Sequence, residues 1–445
     1  MNRIKAFAAA ILLALAALGA MTTGAQAVPA FAVQTGQACN GCHVGGFGPQ
    51  LTPFGRDFKM NGYTARTVAF NVPVSAMAVA SYVRTQEGQS SPPAAHYADN
   101  DNVSLDQASL FLAGGIGAHF GGFVQATYDG VARAFHWDNL DLRAVTNATI
   151  LGANVVLGAS VNNAPTVQDA FNTLPAWGYP YTSSSLAPAP GAAPLIGGLA
   201  QNTIGVTTYA WINSEFYVEA GGYRSLSQSF LGRAGIDPYS PGDIRDIAPY
   251  GRIAYQMNQG DWNFELGAFA MAANLYPGRD GSAGTTDHYR DLGLDGSYQY
   301  YAANKDVFTL NARYTDERQR LYASQALGLA SNSHDSLTDL RFDASYYFRN
   351  KIGFTVGAFD TYGSSDPLLY AANRTLKPVT QGVNLQLDDT FFGDSKSPLG
   401  PRFNTRVGLQ FTAYTEFDGA SRNYDGFGRN ASGNNTLRAF VWAAY

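Results

Sequence analysis

Apolar and polar residues alternate along the chain from about residue 72 to its last residue. In Leu340–Phe348 every second residue is apolar, while the residues between them include Arg341 and Asp343. The same alternation recurs in Arg402–Tyr414. A period of two residues is typical of a β-strand with one apolar face. The pattern therefore predicts an all-β protein.

Sixteen such strands are predicted, at 72–84, 104–117, 119–130, 138–147, 151–161, 202–211, 214–224, 247–257, 261–272, 288–300, 305–315, 337–348, 351–361, 380–390, 403–415 and 435–445. Tight turns such as Asn258–Gly260, Ala302–Asn304 and Arg349–Asn350 alternate with long connections rich in Gly, Pro and Ser. The long connections are 162–201, 225–246, 273–287, 316–336, 362–379 and 416–434, and 391–401 is longer than the rhythm requires.

An even strand number with short turns at one end and long loops at the other is the layout of bacterial outer-membrane barrels. A soluble two-sheet sandwich would also alternate, but it gives no reason for this loop rhythm. We therefore predict an outer-membrane antiparallel β-barrel of about 16 strands over residues 72–445, with outer-membrane lipid against its apolar face. A last strand that ends in the aromatic Tyr445 also resembles the signal for bacterial barrel assembly.

The first 27 residues have the pattern of a secretory signal peptide. Arg3 and Lys5 precede an apolar stretch, Ala6–Leu18, and Ala25–Ala27 matches a cleavage site. After residue 27 no apolar run is long enough for a membrane helix. Only 14% of residues are charged, and the net charge of −5 falls to about −7 when Arg3 and Lys5 are removed. This balance disfavours nucleic acid as a partner. We expect export and residence in the bacterial outer membrane.

The two cysteines lie in Cys39-Asn40-Gly41-Cys42-His43, a C-x-x-C-H motif. This spacing attaches a c-type haem, because both thiols bond the porphyrin and the adjacent histidine can ligate the iron. A thioredoxin-like cysteine pair or a disulfide is the competing interpretation. It gives His43 no role, and no βαβ pattern surrounds the pair. The motif predicts one covalently bound haem c, with Cys39 and Cys42 as attachment points and His43 as axial ligand.

The segment that carries this motif, residues 28–71, is too short to enclose a haem by itself. An even number of strands places both chain ends on the periplasmic side, so this segment is able to enter the barrel from below. A lumen of sixteen strands has room for it. We therefore predict a signal peptide at 1–27, a monohaem cytochrome c segment at 28–71 plugged in or at the lumen, and a porin-like barrel at 72–445.

The sequence does not determine the sixth ligand of the iron. In the first strand, Met77 shares the more polar parity and is expected to point into the lumen. A thioether ligand would raise the potential of the haem. Met60, His136 and an open or water-filled position are the alternatives.

Other candidate groups are weaker. His96, His136, His288 and His334 fall in predicted outer loops and His119 at a turn. Acidic loop residues that could attract Fe²⁺ at the outer mouth are Asp99, Asp101, Asp237, Asp243, Asp246, Glu416, Asp418 and Asp425. Solvated loop charges are the simpler interpretation of this set.

The residues around the motif resemble a known family. Pro29–Gly36, Pro49–Arg56, Phe58–Thr64 and Val72–Met77, together with the haem motif, are similar to the outer-membrane fused monohaem cytochrome–porins. This family includes the iron oxidase of Fe(II)-oxidising bacteria. The resemblance covers about fifty residues specifically, and elsewhere it lies in strand count and loop rhythm. Gly45–Gly48 departs from it, since the family has a bulkier stretch there.

The resemblance implies an electron-transfer function. Fe(II) outside the cell would give one electron to the haem, and a periplasmic c-type cytochrome would accept it, so that ferric products stay outside. The chain would then be an Fe(II):cytochrome c oxidoreductase. A diffusion or uptake porin with a haem-bearing plug or sensor segment is the alternative from another class. An oxidase of a small organic donor is weaker, since alternation brings no acid–base pair together.

Overall fold

The chain forms one large antiparallel β-barrel in a computed structural model, which describes residues 29–68, 72–395 and 397–445. The predicted signal peptide lies outside these residues. The strands are β1 (Val74–Thr85), β2 (Asn102–Ile116), β3 (Phe120–Asp129), β4 (Ala134–Ile150), β5 (Ala153–Asn162), β6 (Thr203–Ile212), β7 (Phe216–Ser225), β8 (Gly242–Ile244), β9 (Ala248–Gln259), β10 (Trp262–Pro277), β11 (Asp287–Tyr301), β12 (Val307–Arg320), β13 (His334–Phe348), β14 (Ile352–Gly363), β15 (Thr380–Thr390), β16 (Asn404–Glu416) and β17 (Thr436–Ala444).

Short helices lie in the N-terminal segment and in the connections. They are α1 (Pro29–Thr35), α2 (Cys39–Cys42), α3 (Pro53–Met60), α4 (Leu195–Gly198), α5 (Gln228–Arg233) and α6 (Tyr322–Ala326). No helix in the described part of the chain has the length and apolar composition needed to cross a bilayer.

The sheet closes on itself at β1. Met77 of this strand lies opposite Ser109 of β2 on one side and Ala444 of β17 on the other. Strands β8 and β9 both pair with β10 and are two pieces of one wall position. The break precedes Pro249, which has no N–H to continue the pairing. The barrel therefore has sixteen positions, which confirms the predicted strand number and antiparallel class.

Strand ends differ from the prediction mainly at the long-loop end. Strands β4, β10 and β12 extend further there than predicted, and His136, His288 and His334 lie in strand ends instead of loops. In Asp316–Arg320 of β12 both faces are polar, so apolar alternation gives no signal although the strand continues. His96 lies in a connection and His119 in the turn before β3, as predicted.

The outer surface of the barrel is apolar. On β13 the outward side chains of Leu340, Phe342 and Phe348 are 43–49% exposed, whereas the inward Asp343 and Ser345 are buried. Soluble proteins rarely expose such continuous apolar surface, but lipid covers it in an outer-membrane barrel. The predicted contact with outer-membrane lipid is thereby supported by the distribution of side chains.

The connection between β5 and β6, residues 163–202, folds into the lumen. Its first part is almost completely buried, and Ala170, Phe171 and Leu174 are at most 2% exposed. The sequence placed this stretch among the outer loops, and the structure corrects that position. Its many apolar and aromatic side chains account for the burial, because they leave water by packing on the inner wall.

Candidate haem site

The Cys39–His43 motif forms one helical turn followed by an extended residue. The His43 amide donates to the Cys39 carbonyl at 2.9 Å, and His43 itself has φ −121° and ψ 138°. The chain then doubles back, since Thr52 donates its amide to the Cys42 carbonyl at 2.9 Å. Two thiols one turn apart beside a fixed imidazole are the arrangement that c-type haem attachment requires.

Helix α3 packs directly on this motif. Thr52 caps the helix, because its hydroxyl accepts from the Gly55 amide at 3.2 Å and donates to the Gly41 carbonyl at 2.7 Å. A Cβ on Gly55 would lie 2.3 Å from the Cys42 carbonyl oxygen, a backbone atom. Glycine is therefore required for α3 to approach the motif this closely.

The barrel wall binds the turn that follows the motif. Arg406 donates to the carbonyls of Gly45 at 3.0 Å and Phe47 at 2.7 Å, and it forms an ion pair with Asp388 at 3.2 Å. Gly46 has φ +72°, and a Cβ there would lie 2.4 Å from a backbone carbon of the β15–β16 connection. These contacts give a physical reason for glycine in the stretch Gly45–Gly48.

The rest of the segment is also held by side chains of the lumen. Arg56 of α3 donates to Asn263 at 2.9 Å, and the Tyr209 hydroxyl donates to the Met60 carbonyl at 2.7 Å. The Tyr63 hydroxyl donates to Asp141 at 2.7 Å. Residues 29–68 thus lie inside the barrel and borrow its walls.

A cavity of about 360 Å³ lies between this segment and the wall. Cys39, Cys42 and His43 line it from the segment, and Met77 lines it from β1. The remaining lining includes a large aromatic group: Phe31, Phe47, Phe58, Tyr63, Phe111, Phe123, Trp177, Tyr181 and Trp442. A largely apolar cavity with several polar groups at defined positions is the kind of site that binds a flat apolar cofactor.

The chemistry of the motif residues fits an iron porphyrin. Among the described residues no group accepts or donates a hydrogen bond at the buried Nδ1 of His43, and burial lowers the pKa of this imidazole to about 4. A neutral ring with an unsatisfied buried nitrogen is costly unless a ligand completes its environment. Burial also raises the pKa of Cys39 to about 11 and that of Cys42 to about 12. Redox-active cysteine pairs have lowered pKa values instead, which disfavours the thioredoxin-like interpretation.

The three candidates for the sixth ligand occupy different places. Met77 lines the same cavity as His43. Met60 is completely buried in another apolar cluster, with its sulfur 4.0 Å from an Arg143 nitrogen. His136 is half-buried on β4 and its Nδ1 contacts the Trp137 carbonyl. Of the three, Met77 alone faces the cavity, and its role as ligand stays a prediction.

Several cavity residues were not found from the sequence. Trp177 and Tyr181 come from the inward-folded connection, which was taken as an outer loop. Trp442 lies on β17, and its parity, shared with Arg438, was the signal that it faces inward. Lys59 also lines the cavity, although it was noted only as part of the family resemblance.

The acidic loop residues do not form a metal centre. The described ranges contain no group of three or more His, Cys, Asp or Glu side chains placed to hold a metal ion. Some of these residues have protein partners, such as Asp243, which pairs with Arg279 at 3.2 Å. The idea that they attract Fe²⁺ stays a prediction without a site.

A closed sixteen-position antiparallel barrel with a lipid-facing exterior and a charged interior defines a porin-like barrel of the outer-membrane type. No family model and no curated protein sequence matches the chain. Solved structures similar to it include OmpT of Vibrio cholerae, with 8% identity, 85% of this chain and 99% of that chain covered and a TM-score of 0.43. Salmonella typhi OmpF in complex with daunomycin has 14% identity, coverages of 84% and 97% and a TM-score of 0.46. Pseudomonas putida OprB has 11% identity, coverages of 84% and 94% and a TM-score of 0.47.

Proposed function

We propose that this chain carries electrons across the outer membrane through one haem c attached at Cys39 and Cys42. In the proposal His43 is one axial ligand and Met77 the other. Fe(II) outside the cell is oxidised to Fe(III), and the single electron released reduces a periplasmic c-type cytochrome. The bound haem supplies the one-electron acceptor and donor between these two partners.

The observation that carries the proposal is the cavity shared by the motif and Met77. Three side chains of the haem motif and a thioether line one apolar cavity of about 360 Å³ inside the barrel. Their positions come from contacts between distant parts of the chain, and the motif alone does not require them. Aromatic side chains form a large part of the cavity wall, and burial of a haem among apolar side chains raises its potential.

The location of the motif favours transfer to a periplasmic partner. The Cys39 sulfur lies 3.8 Å from the Pro401 carbonyl, in the connection between β15 and β16. That connection is at the short-turn end of the barrel, which faces the periplasm in bacterial outer-membrane barrels. A soluble acceptor can therefore approach the attachment edge, while the inward connection 163–202 enters the lumen from the long-loop end.

An absorption spectrum tests the proposal first. Protein exported with a c-type maturation system is expected to show reduced-minus-oxidised haem bands, and a variant with Cys39→Ser and Cys42→Ser is expected to show none. Anaerobic stopped-flow mixing with Fe²⁺ should then reduce the haem. Colourless protein after maturation would overturn the haem, and a coloured protein that Fe²⁺ never reduces would remove iron as donor.

The barrel architecture also keeps a second candidate open, a diffusion porin with a haem-bearing plug. The two candidates predict opposite conductance in planar bilayers: a diffusion porin conducts ions steadily, whereas a plugged barrel conducts few. The buried segment and inward connection favour low conductance. Large, stable conductance of the haem-loaded protein would favour the porin instead.

A further inference from the structure

Lys59 is a buried lysine in the N-terminal segment. Its side chain belongs to a residue only 4% exposed, and its ammonium donates to the Val167 carbonyl at 2.9 Å and to Asn172 Oδ1 at 2.7 Å. The ammonium also lies 5.1 Å from the centre of the Trp177 ring. Both hydrogen-bond acceptors are neutral, and an ammonium has three hydrogens to donate. One donor is therefore left for another partner.

Lys59 shares this feature with Arg56 of the same helix, whose guanidinium donates to neutral side chains, but differs from two buried arginines of the barrel wall. Arg143 pairs with Asp141, and Arg252 pairs with Asp169. In the described part of the chain no carboxylate lies within ion-pair distance of Lys59: of the three whose charges act on it, Asp141 and Asp169 already have arginine partners, and Glu219 is too far away to pair with it. Burial, with a smaller contribution from the Arg143 charge, lowers the pKa of Lys59 to about 7. A buried cation of this kind is costly until an anion reaches it.

The position of Lys59 relates it to the haem motif. Gly55 of α3 touches the Cys42 carbonyl, and Lys59 follows four residues later on the same face of the helix. Four residues of helix correspond to a rise of about 6 Å. Lys59 and the two cysteines line the same cavity, with Lys59 one helical turn beyond the attachment point.

A haem carries two propionate carboxylates on the edge opposite the vinyl groups, where the thiols attach. Among the described residues that line the cavity, Lys59 is the one lysine, and no arginine lines it. Asp138 is the carboxylate in the lining, and its oxygens accept hydrogen bonds from Thr127 and Gln201. A propionate would be repelled there and attracted at Lys59.

We propose that the ammonium of Lys59 binds a propionate of the haem and so fixes the orientation of the porphyrin in the cavity. The inference rests on the proposed function, because it requires the haem. The carboxylate would complete the third hydrogen bond of the ammonium. Charge-assisted bonds of this kind are stronger than bonds between neutral groups.

The test compares the wild type with Lys59→Met, Lys59→Arg and the control Lys305→Met. Lys305 is exposed at the turn between β11 and β12, where its ammonium contacts the Asp394 carbonyl at 3.4 Å. Lys59→Met is expected to shift the propionate bending band in the resonance Raman spectrum and to lower the midpoint potential, because a positive charge is lost beside the haem. Lys59→Arg should largely preserve both readouts, and Lys305→Met should leave them unchanged.

The outcomes separate this inference from the proposed function. A colourless wild type overturns both, whereas a coloured wild type with an unshifted Lys59→Met spectrum and potential overturns only the assignment of Lys59. Loss of the axial-ligand bands in Lys59→Met would show that Lys59 binds the iron, and this result would also overturn the assignment of Lys59 to a propionate.

If neither Lys59 variant matures, the wild type itself provides the measurement. The chain has five lysines after residue 27, so ¹⁵N-lysine labelling gives few side-chain signals. One ammonium signal should move between the ferric and ferrous forms, because the ferric iron is paramagnetic. Lysine signals that are the same in both forms would refute the contact.

Discussion

Replacing Arg406 by Met should release the N-terminal segment from the barrel while the barrel stays folded. The guanidinium is 1% exposed and donates to two carbonyls of the segment, those of Gly45 and Phe47. Methionine fills similar space but donates nothing. The two carbonyls would then remain buried without these partners whenever the segment is docked, whereas water hydrates them when it is not.

The magnitude follows from those two bonds. A buried group left without its partner costs about 1–3 kcal/mol. Two such groups weaken docking by about 2 to 6 kcal/mol, which is about 30-fold to 20,000-fold in the docking equilibrium. The loss of the Asp388 ion pair is not added, because Asp388 lacks its partner in the docked and undocked states alike.

Limited proteolysis measures this equilibrium. Trypsin cleaves at Arg56 and Lys59, which are buried while the segment is docked. When docking is fast relative to cleavage, the cleavage rate reports the undocked population. Heat-modifiable migration in gels would show that the barrel is intact.

Arg341→Met is the matched control. Arg341 pairs with Asp339 at 2.6 Å and lies in the lumen, but its hydrogen bonds are to Asp339 and Thr361 and not to residues 29–68. It should therefore leave cleavage of the segment near the wild-type rate. Equal cleavage rates in Arg406→Met and Arg341→Met would refute the reasoning.

Three further predictions concern the cavity and the lumen. Gly55→Ala should lower the stability of the docked segment by about 1–3 kcal/mol, because its methyl group overpacks against the Cys42 backbone, and should reduce the haem per barrel in absorption spectra. Gly232→Ala, whose methyl group meets open space, should change neither. Equal haem content in the two variants would contradict this prediction. Met77→Ala should lower the midpoint potential and change the sixth-ligand bands, and Met60→Leu should leave both unchanged; the reverse result would make Met60 the ligand. Replacing 166–198 by a short Gly-Ser linker should increase single-channel conductance in planar bilayers, and an unchanged value would mean that this connection does not close the lumen.

The sequence was sufficient for the barrel because the lipid acts on each strand separately. Every membrane-spanning strand has one face toward lipid, so alternation such as that of Leu340–Phe348 is recorded within the strand itself. This alternation stops where a strand extends beyond the lipid-facing band. Asp316–Arg320 continues β12 beyond the apolar band, and its polar residues on both faces gave no indication of a strand.

The inward path of residues 163–202 could not be predicted in the same way. Its position depends on partners that are distant in sequence, such as the ion pair of Asp169 with Arg252 at 3.1 Å. The Leu195 amide likewise donates to Glu317 at 2.6 Å. The sequence of a connection without periodicity does not indicate such contacts. Its apolar content was the available signal that the connection is buried.

Some residues of the candidate site were also predictable from the sequence, and others were not. Cys39, Cys42 and His43 follow from a local motif, and the parity of Met77 was enough to place it in the lumen. The remaining wall is assembled by folding, and Lys59 becomes noticeable only when its neutral partners and its place in the cavity are known. A haem-attachment motif is local in sequence and can be read directly, whereas the wall of a cavity depends on how distant strands pair.

The buried ion pairs of the lumen bear on whether electrons or solutes cross this barrel. Arg252 pairs with Asp169 of the inward connection and with Glu265 and Asp295 of the wall, and all four side chains are completely buried. Separating Asp169 from Arg252 would leave a charge without its partner, and breaking a buried pair costs about 3–5 kcal/mol. A solute that passes at this position needs that separation, because it needs a continuous water path there. An electron does not, since it passes through packed protein, so this interior is compatible with the electron transfer that we propose.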